Sequence, residues 1–390
     1  MKLIFLAVFA LTLCLSGSDG SQKWPNHDIS TLKLLQVVHK HGERAPVSWT
    51  PNDPYNNVKY WPEGLSELTA RGKNTMFKLG QFLRQEYGAY FGNQFSPREV
   101  YARSAAADRC FESCAALLAG AYPPNQKDWQ WSDANVSLGH IWQPINIQTF
   151  LPEKSDLVCN QAKHCDIASA EYNRIYAQKV VKDFEAKNKP LYDQMTKAVG
   201  APVGGIWEAF DLYDTLKAEL DNNYYWDKTW SKEDETKLVA QLYESALRGQ
   251  IWDYDSPIIK RMRAGGLVNE LNTNFDKVLK KTNNKKMYVY STYGAHISLL
   301  LQSLNVFNNV IPPNAATVLF ELHQKPATDN YFVRLYYQNE TTSAIIGIPH
   351  SVPLTDCKKL VDCPLTDYIE STKHLIYEDY DKECVKKSFK

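Results

Sequence analysis

The chain has 390 residues, and 44% of them are hydrophobic, so it can bury a large core. This length suits two domains of ~150 residues or one α/β unit with an insertion. Its 44 Lys and Arg residues balance its 44 Asp and Glu residues, and no basic run or stripe disturbs that balance. The composition therefore argues against nucleic acid as a partner.

The first element is an apolar run over residues 3–15, which follows a single lysine and precedes a stretch of small residues. This order is typical of a secretory signal peptide, so residues 1–20 are predicted to be removed by cleavage between Gly17 and Ser21. The alternative is a membrane anchor, but the run is shorter than the ~20 residues that span a bilayer. We therefore expect a secreted, extracellular protein without a membrane segment.

Secretion would place the chain in an oxidising compartment. The sequence has eight cysteines, and removal of Cys14 with the signal peptide leaves seven, so most should pair and one should be left over. Asn135-Val-Ser and Asn339-Glu-Thr match the glycosylation sequon, which is meaningful only in a secreted chain.

Three units of strand, short turn and helix are predicted along the chain, because each β-like apolar run is followed by apolar residues at helical spacing. Proteins of this α/β form place their sites at the carboxyl ends of strands. The predicted strands and the helices that follow them are 31–39 with 66–87, 99–103 with 105–119, and 286–291 with 295–304.

The middle of the chain has a different pattern. Residues 167–280 consist of long, charged, amphipathic segments with few strand signals, which we interpret as a helical cap insertion. The α/β core domain would then comprise residues 21–166 and 281–390. Two later β-like runs, 315–324 and 330–339, flank a turn and predict a hairpin.

The ends of the first two strands carry the residues with the clearest chemistry. The segment VVHKHGERAP supplies Lys40, His41, Glu43 and Arg44, and the second strand supplies Arg103. Guanidinium groups bind phosphate oxygens through two parallel N–H donors, and a neutral histidine among them can attack phosphorus. The alternative is that the two arginines merely pair with nearby carboxylates such as Glu43.

These motifs resemble those of the histidine acid phosphatases. HKHGERAP is similar to the RHGxRxP signature of that family, YARSAAADR is similar to its YxRSTDxDR, and AYPP, IWQPI, GGLVNEL and IPP extend the similarity over nearly all of the mature chain. The resemblance implies a mixed sheet flanked by helices, with a smaller helical cap domain over the site. It also implies that His41 is the nucleophile that becomes phosphohistidine, and that Arg44 and Arg103 hold phosphate.

The resemblance further implies a disulfide pattern. The expected pairs are Cys159 with Cys384, Cys357 with Cys363, and Cys165 with either Cys110 or Cys114. The sequence does not decide which of the last two cysteines would pair and which would remain free.

The chain departs from the family pattern at several site positions. Lys40 stands where the family has its first arginine, and Gln148 stands where active relatives often have histidine. Tyr293 and Gly294 replace the His-Asp pair of the YSxHD motif, and loss of the general acid typically costs ~10²–10⁴ in rate. His296 has no acidic sequence neighbour, so we expect it to be structural rather than a replacement.

We therefore expect a catalytically inactive protein whose former active-site pocket binds small molecules. This combination resembles the salivary acid-phosphatase-like proteins of blood-feeding insects, notably fleas, which implies sequestration of biogenic amines such as serotonin and, as a second class, leukotrienes. An amine would use a carboxylate (Glu43, Asp211 or Asp214) and a stacked aromatic ring, with Trp207 and Tyr293 at the mouth. An anionic lipid would use the cations of the strand ends.

The predicted site contains no metal and no cofactor. Two other interpretations stay open: a weak secreted acid phosphatase that acts through phosphohistidine at His41, with water or Asp108 as the acid, and a binding or antigenic surface protein without a small ligand. The sequence carries no indication of oligomeric state. The predicted ligand-binding residues are Lys40, His41, Arg44, Arg103, Gln148, Trp207, Asp211 and Tyr293.

Overall fold

A computed structural model describes residues 24–124, 131, 137–152, 156–161, 164–226, 229–342, 345–354, 357–358 and 360–385. The predicted signal peptide and the sequon residue Asn135 lie outside the described residues, and Asn339 is half-buried just after a strand. Within these ranges eight strands form one sheet, namely β1 (Leu32–Lys40), β2 (Val100–Ser104), β3 (Gln148–Thr149), β4 (Met287–Thr292), β5 (Thr317–Gln324), β6 (Tyr331–Gln338), β7 (His350–Ser351) and β8 (Cys363–Pro364).

The sheet is mixed. Its order is β3-β2-β4-β1-β5-β6-β7, with β8 also paired to β6. The first four strands in this order run parallel to one another, whereas β5 pairs antiparallel with β1 and forms a hairpin with β6. Parallel strands require long crossover connections, which here contain helices. The predicted α/β class, the three strand–turn–helix units and the hairpin are confirmed.

Helices cover the sheet and also form a separate helical segment of the chain. None of the helices in the described ranges is both long enough and apolar enough to span a membrane. The helices are α1 (Ala70–Phe91), α2 (Asp108–Ala121), α3 (Asp166–Tyr176), α4 (Lys179–Val199), α5 (Ile206–Asp221), α6 (Lys232–Asp253), α7 (Pro257–Leu279), α8 (Gly294–Ser303), α9 (Leu365–Thr372) and α10 (Tyr380–Cys384).

Three hydrophobic clusters hold these elements together. One lies on the face of the sheet covered by α7 and α8, and a second lies on the face covered by α1 and α2. This arrangement follows from the alternation of side chains along each strand, since Val37 belongs to one cluster and Val38 to the other. The third cluster lies among α4, α5 and α6, with residues such as Met195, Leu216 and Leu242.

The disulfide pattern differs from the expected one in part. Cys357 is bonded to Cys363 as predicted, but Cys384 is bonded to Cys165 rather than to Cys159. The reason is geometric: the Cα atoms of Cys165 and Cys384 lie 4.7 Å apart where α10 packs against α3, and that distance suits a disulfide. Cys159 is instead buried beside β2, with its Sγ 3.8 Å from the carbonyl oxygen of Arg103.

The same bond rules out the expected pairing of Cys165 with Cys110 or Cys114. Both of these cysteines lie on α2 and are buried, outside the two disulfides of the described residues.

Candidate active site

Three parallel strands end at one edge of the sheet and form the floor of a pocket. Ser291 of β4 pairs with His39 of β1 on one side and with Ser104 of β2 on the other. The chain after β1 stays in register for one more residue, because the amide of His41 donates to the carbonyl oxygen of Thr292 at 3.1 Å. The carboxyl ends of these strands therefore bring distant parts of the sequence together, as the α/β pattern predicts.

The loop after His41 is fixed by close packing against α1. The amide of Gly42 donates to Ser113 Oγ at 3.0 Å, and the amide of Thr69 donates to the carbonyl oxygen of Glu43 at 3.0 Å. A Cβ atom on Gly42 would lie 2.7 Å from the carbonyl oxygen of Gly72, which is too close for any other residue. The glycine of the HGER segment is therefore required for the loop to approach the helix.

His41 is buried and oriented by its own loop. Its Nδ1 lies 2.8 Å from the carbonyl oxygen of Gly42, so we assign the Nδ1–H as donor, which leaves Nε2 with its lone pair. Burial holds the pKa of His41 well below its usual range, and the positive charges of Lys40, Arg44 and Arg109 lower it further. The imidazole is therefore neutral at neutral pH, the form in which it can act as a nucleophile.

Three cations line the cavity with His41. Lys40 donates from Nζ to the carbonyl oxygen of Pro312 at 3.0 Å, and burial lowers its pKa to about 8. Arg109, at the start of α2, holds its guanidinium carbon 5.1 Å from the centre of the Tyr293 ring. The Nε atoms of Arg44 and Arg109 are both buried without an acceptor among the described residues. Guanidinium groups beside a neutral histidine suit an anion bound in the cavity.

Arg109 replaces Arg103 as the second pocket arginine, which corrects the sequence-based expectation. Arg103 instead donates from Nη2 to the buried carboxylate of Asp156 at 2.6 Å and stacks on Phe150 at 5.2 Å. Asp156 also accepts from the amide of Cys159 at 3.0 Å, so Arg103 is held in a structural network. The sequence contained a clue to this assignment, because the YARSAAADR segment contains both arginines and only the second lies at the start of a helix.

One face of α5 forms the opposite wall of the cavity. Its cavity-lining residues recur at intervals of three and four, which places them on one side of a helix. None of them except Asp214 was singled out in the sequence. They are Phe210, Tyr213, Asp214, Lys217, Ala218 and Asp221.

The two walls are joined by an ion pair. Arg44 Nη2 lies 2.7 Å from Asp214 Oδ2, with the Arg44 side chain largely buried and the Asp214 side chain half-buried. On the same wall Lys217 pairs with Asp221, one turn apart on α5. Each carboxylate on this helix face therefore already has a positive partner.

The cavity between the walls has a volume of about 460 Å³, within the range typical of small-molecule sites. Its charged lining comprises five cations, of which Lys40, Arg44 and Arg109 are the three around His41, and three carboxylates, a formal excess of two positive charges. Among the described residues, no group of three His, Cys, Asp or Glu side chains is arranged to hold a metal ion. The charged residues are Lys40, Arg44, Arg71, Arg109 and Lys217, with Glu43, Asp214 and Asp221.

Three further predicted residues lie outside this lining. Gln148 is exposed on the edge strand β3, next to Arg103 in the sheet register. Trp207 is 40% exposed and packs near Tyr172 of α3, with ring centres 6.1 Å apart. Asp211 is exposed because it lies one residue beyond Phe210 and so points off the cavity face of α5.

Tyr293 and Gly294 both line the cavity at the start of α8. The Tyr293 ring meets the His41 ring edge to face, with centres 6.4 Å apart. A Cβ atom on Gly294 would lie 3.1 Å from Cδ and Cε of Lys40. His296 is buried outside the lining, and burial lowers its pKa to about 4, which suits the structural role expected for it.

Comparison with solved structures supports the fold. The chain superposes on a phytase of Citrobacter braakii with a TM-score of 0.66 at 15% identity, covering 91% of this chain and 99% of that one. It also superposes on a multiple inositol polyphosphate phosphatase of Bifidobacterium longum with a TM-score of 0.55 at 12% identity, covering 87% and 92% respectively. At these identities the likeness establishes the fold alone.

Sequence comparison identifies the family. The chain is 27% identical to the prostatic acid phosphatase of Bos taurus over 367 residues, 92% of this chain and 89% of that protein. It is 27% identical to the human lysosomal acid phosphatase over 354 residues, 91% of this chain and 80% of that protein. Residues 31–338 match the family described as histidine phosphatase superfamily (branch 2). With His41 and its cations at the strand ends, this match shows that the chain belongs to branch 2 of the histidine phosphatase superfamily.

Proposed function

We propose that the chain is a secreted, catalytically inactive member of this family that binds and sequesters small mediators in the pocket above His41. Biogenic amines such as serotonin are the first ligand class and leukotrienes the second. The observation that carries the proposal is Tyr293-Gly294 at the cavity wall, where the acid of the YSxHD motif would stand.

Catalysis requires a group that protonates the leaving oxygen, and Gly294 has no side chain to do so. Tyr293 is next to His41, but a phenol is a far weaker acid than a carboxylic acid. Of the pocket carboxylates on α5, Asp214 is bound to Arg44 and Asp221 to Lys217. Both carboxylates are therefore already engaged by cations, and neither stands in for the acid of the YSxHD motif.

The cavity has the mixture of groups that an aromatic amine requires. Phe210, Tyr213 and Tyr293 offer rings for stacking or for a cation–π contact, and Asp214 offers the counter-charge. An anionic lipid would place its carboxylate at the cations around His41, where the guanidinium of Arg109 has an unused donor. Arg109 takes the place that the sequence had given to Arg103.

Secretion is supported by the apolar amino-terminal run and by two disulfides, which persist in oxidising compartments. The setting in the saliva of a blood-feeding insect rests on the resemblance to salivary acid-phosphatase-like proteins. Sequestration in that setting consumes one protein molecule per mediator, so a binder needs affinity rather than turnover.

Two measurements on the secreted protein test the proposal. Calorimetry with serotonin, histamine and leukotriene C4 should show one ligand bound per chain for at least one of them. Hydrolysis of p-nitrophenyl phosphate at acid pH should match that of the His41→Ala variant. Heat from none of the three ligands would refute the binding function, and turnover comparable to an intact relative, lost in His41→Ala, would refute inactivity.

A weak acid phosphatase is the second candidate, and one observation favours it. His41 is neutral, keeps Nε2 available, and retains Lys40, Arg44 and Arg109 around it, so the nucleophile still has three positive charges nearby, although Lys40 replaces an arginine of the family motif. Such an enzyme would use water or a displaced carboxylate as the acid. Slow turnover that is abolished by His41→Ala, together with a trapped phosphohistidine, would favour this candidate.

A further inference from the structure

We propose that the pocket binds an anion and an amine cooperatively through the Arg44–Asp214 ion pair. An anion that binds Arg44 frees Asp214 for the amine, and an amine that binds Asp214 frees Arg44 for the anion. This inference rests on the proposed amine-binding function and adds its regulation. The anion is of the phosphate or sulfate type, and the amine is a primary aromatic amine.

The ion pair couples two differently charged parts of one cavity. Arg44 belongs to the loop after β1, next to His41, whereas Asp214 belongs to the cavity face of α5. In the structure they are bound to each other at 2.7 Å, and the side chain of Arg44 is only 13% exposed. As long as this bond is made, neither group is fully available to a ligand.

The floor can accept an anion if Arg44 turns from Asp214. The donor that Asp214 now holds is Arg44 Nη2, and Arg109 lines the same cavity with a second guanidinium. An anion beside Arg44 would replace Asp214 as the acceptor of Nη2, since a guanidinium and a phosphate or sulfate match in geometry. The anion would thereby take over the charge compensation that Asp214 now supplies to Arg44.

Asp214 would then be left as a carboxylate without its cation, and its exposed fraction of 32% makes it accessible to a ligand in the cavity. It lies one residue from Tyr213 and one helical turn from Phe210, so a ring and a charge are presented together. A primary aromatic amine satisfies both features. The other carboxylate on this face, Asp221, keeps Lys217 as its partner and is less available.

The coupling must be reciprocal, because it is a difference in binding free energy between two states of one molecule. Bound phosphate should tighten serotonin binding by about 5-fold or more, and saturating serotonin should tighten phosphate binding by the same factor. Calorimetry on the full secreted protein measures both titrations, with ionic strength held constant by sodium chloride so that simple screening does not contribute.

Two asparagine substitutions on α5 provide a matched pair. Asp214→Asn removes the shared carboxylate, so phosphate should bind more tightly than to the wild type in the absence of serotonin, and the coupling factor should fall to about one. Asp211→Asn makes the same charge change three residues earlier, off the cavity face, and should leave the coupling unchanged.

The outcomes are separable. Serotonin binding that phosphate leaves unchanged or weakens would overturn the coupling while leaving the proposed amine binding intact. Absence of serotonin binding under all conditions would overturn both. Reciprocal tightening in the wild type supports the coupling even if Asp214→Asn fails to fold, and loss of coupling in both asparagine variants would overturn the assignment to Asp214.

Discussion

The side chain of Lys40 fills the space that a side chain at position 294 would need. Its Cδ and Cε atoms lie 3.1 Å from the ideal Cβ position of Gly294, and its Nζ lies 3.4 Å away. Lys40 is long and flexible, so it can move by a few tenths of an ångström to admit a larger residue. The two departures from the family motifs, at positions 40 and 294, are therefore neighbours in space.

Restoring the acid should restore catalysis. In the double variant Tyr293→His with Gly294→Asp, we expect p-nitrophenyl phosphate hydrolysis at acid pH to rise ~10²–10⁴-fold, because a general acid again faces the leaving oxygen. Adding His41→Ala should return the rate to background and serves as the control. An unchanged rate in a folded double variant would mean that other parts of the site have also lost function.

Phe210 should contribute to amine binding and Trp207 should not. Both are aromatic residues on the first turns of α5, but only Phe210 lines the cavity. Phe210→Ala should raise the serotonin Kd about 3- to 10-fold, the usual cost of one aromatic contact. Trp207→Ala should leave the Kd within about twofold. The reverse order would support the original expectation that Trp207 covers the site.

Anion binding should weaken above about pH 8. Burial, the largest effect, lowers the pKa of Lys40 from 10.5 to about 8, so the free pocket loses this positive charge as the pH rises through that value. Sulfate keeps its charge over this range, and its affinity should fall by up to about tenfold per pH unit above pH 8. In Lys40→Arg the decline should disappear, since a guanidinium stays charged. A parallel decline in both proteins would assign the effect to another group.

Buried acids in the helical segment should make stability depend on pH. Burial, followed by the charge of Asp53, raises the pKa of Glu219 from 4.5 to about 9, and Trp226 Nε1 donates to this carboxyl at 2.7 Å. The folded protein therefore retains a proton that the unfolded chain releases. This contribution to stability is fully present below pH 4.5 and is lost as the pH rises towards 9.

Glu219→Gln mimics the protonated acid and keeps an oxygen acceptor for Trp226. It should increase the stability at about pH 8 by on the order of 1–2 kcal/mol, a rise of about 1–3 °C in Tm for a chain of this length, and have little effect near pH 4. Thermal unfolding at both pH values measures the difference. An equal effect at both would exclude titration of Glu219 as the cause.

The observed disulfide pattern also makes a prediction. Replacing Cys165 and Cys384 together by serine should lower the free energy of unfolding by about 2–5 kcal/mol, because the bond closes a long loop. Cys159→Ser should cost much less. Peptide mapping under non-reducing conditions should find Cys165 linked to Cys384, and a Cys159–Cys384 peptide would contradict the structure.

The sequence was sufficient for the five longest strands of the sheet and for half of the site. Apolar runs and turn residues predict β1 and β4 to within one residue at each end, and the HGER motif identifies His41 and Arg44. The other half depends on the rotation of α5 about its own axis relative to the floor. The spacing of residues in the sequence shows which residues share a face of α5, but it does not show which of those faces meets the pocket.

The same limit explains the choice between two arginines. Arg103 and Arg109 lie in one motif, and their roles are decided by whether the side chain leaves from a strand or from the first turn of a helix. The exchange between Cys159 and Cys165 has a similar origin. Both are separated from Cys384 by more than 200 residues of chain, so only the packing of α10 against α3 selects the partner.

The construction of the pocket from two walls affects how ligand preference can change over time. The floor around His41 is built into the sheet, where a substitution disturbs three strands and two helices at once. The cavity face of α5, from Phe210 to Asp221, is one side of a helix whose opposite side packs into its own hydrophobic cluster. A substitution on this face therefore changes the wall that a ligand meets without disturbing the sheet, so ligand preference can change while the floor stays constant.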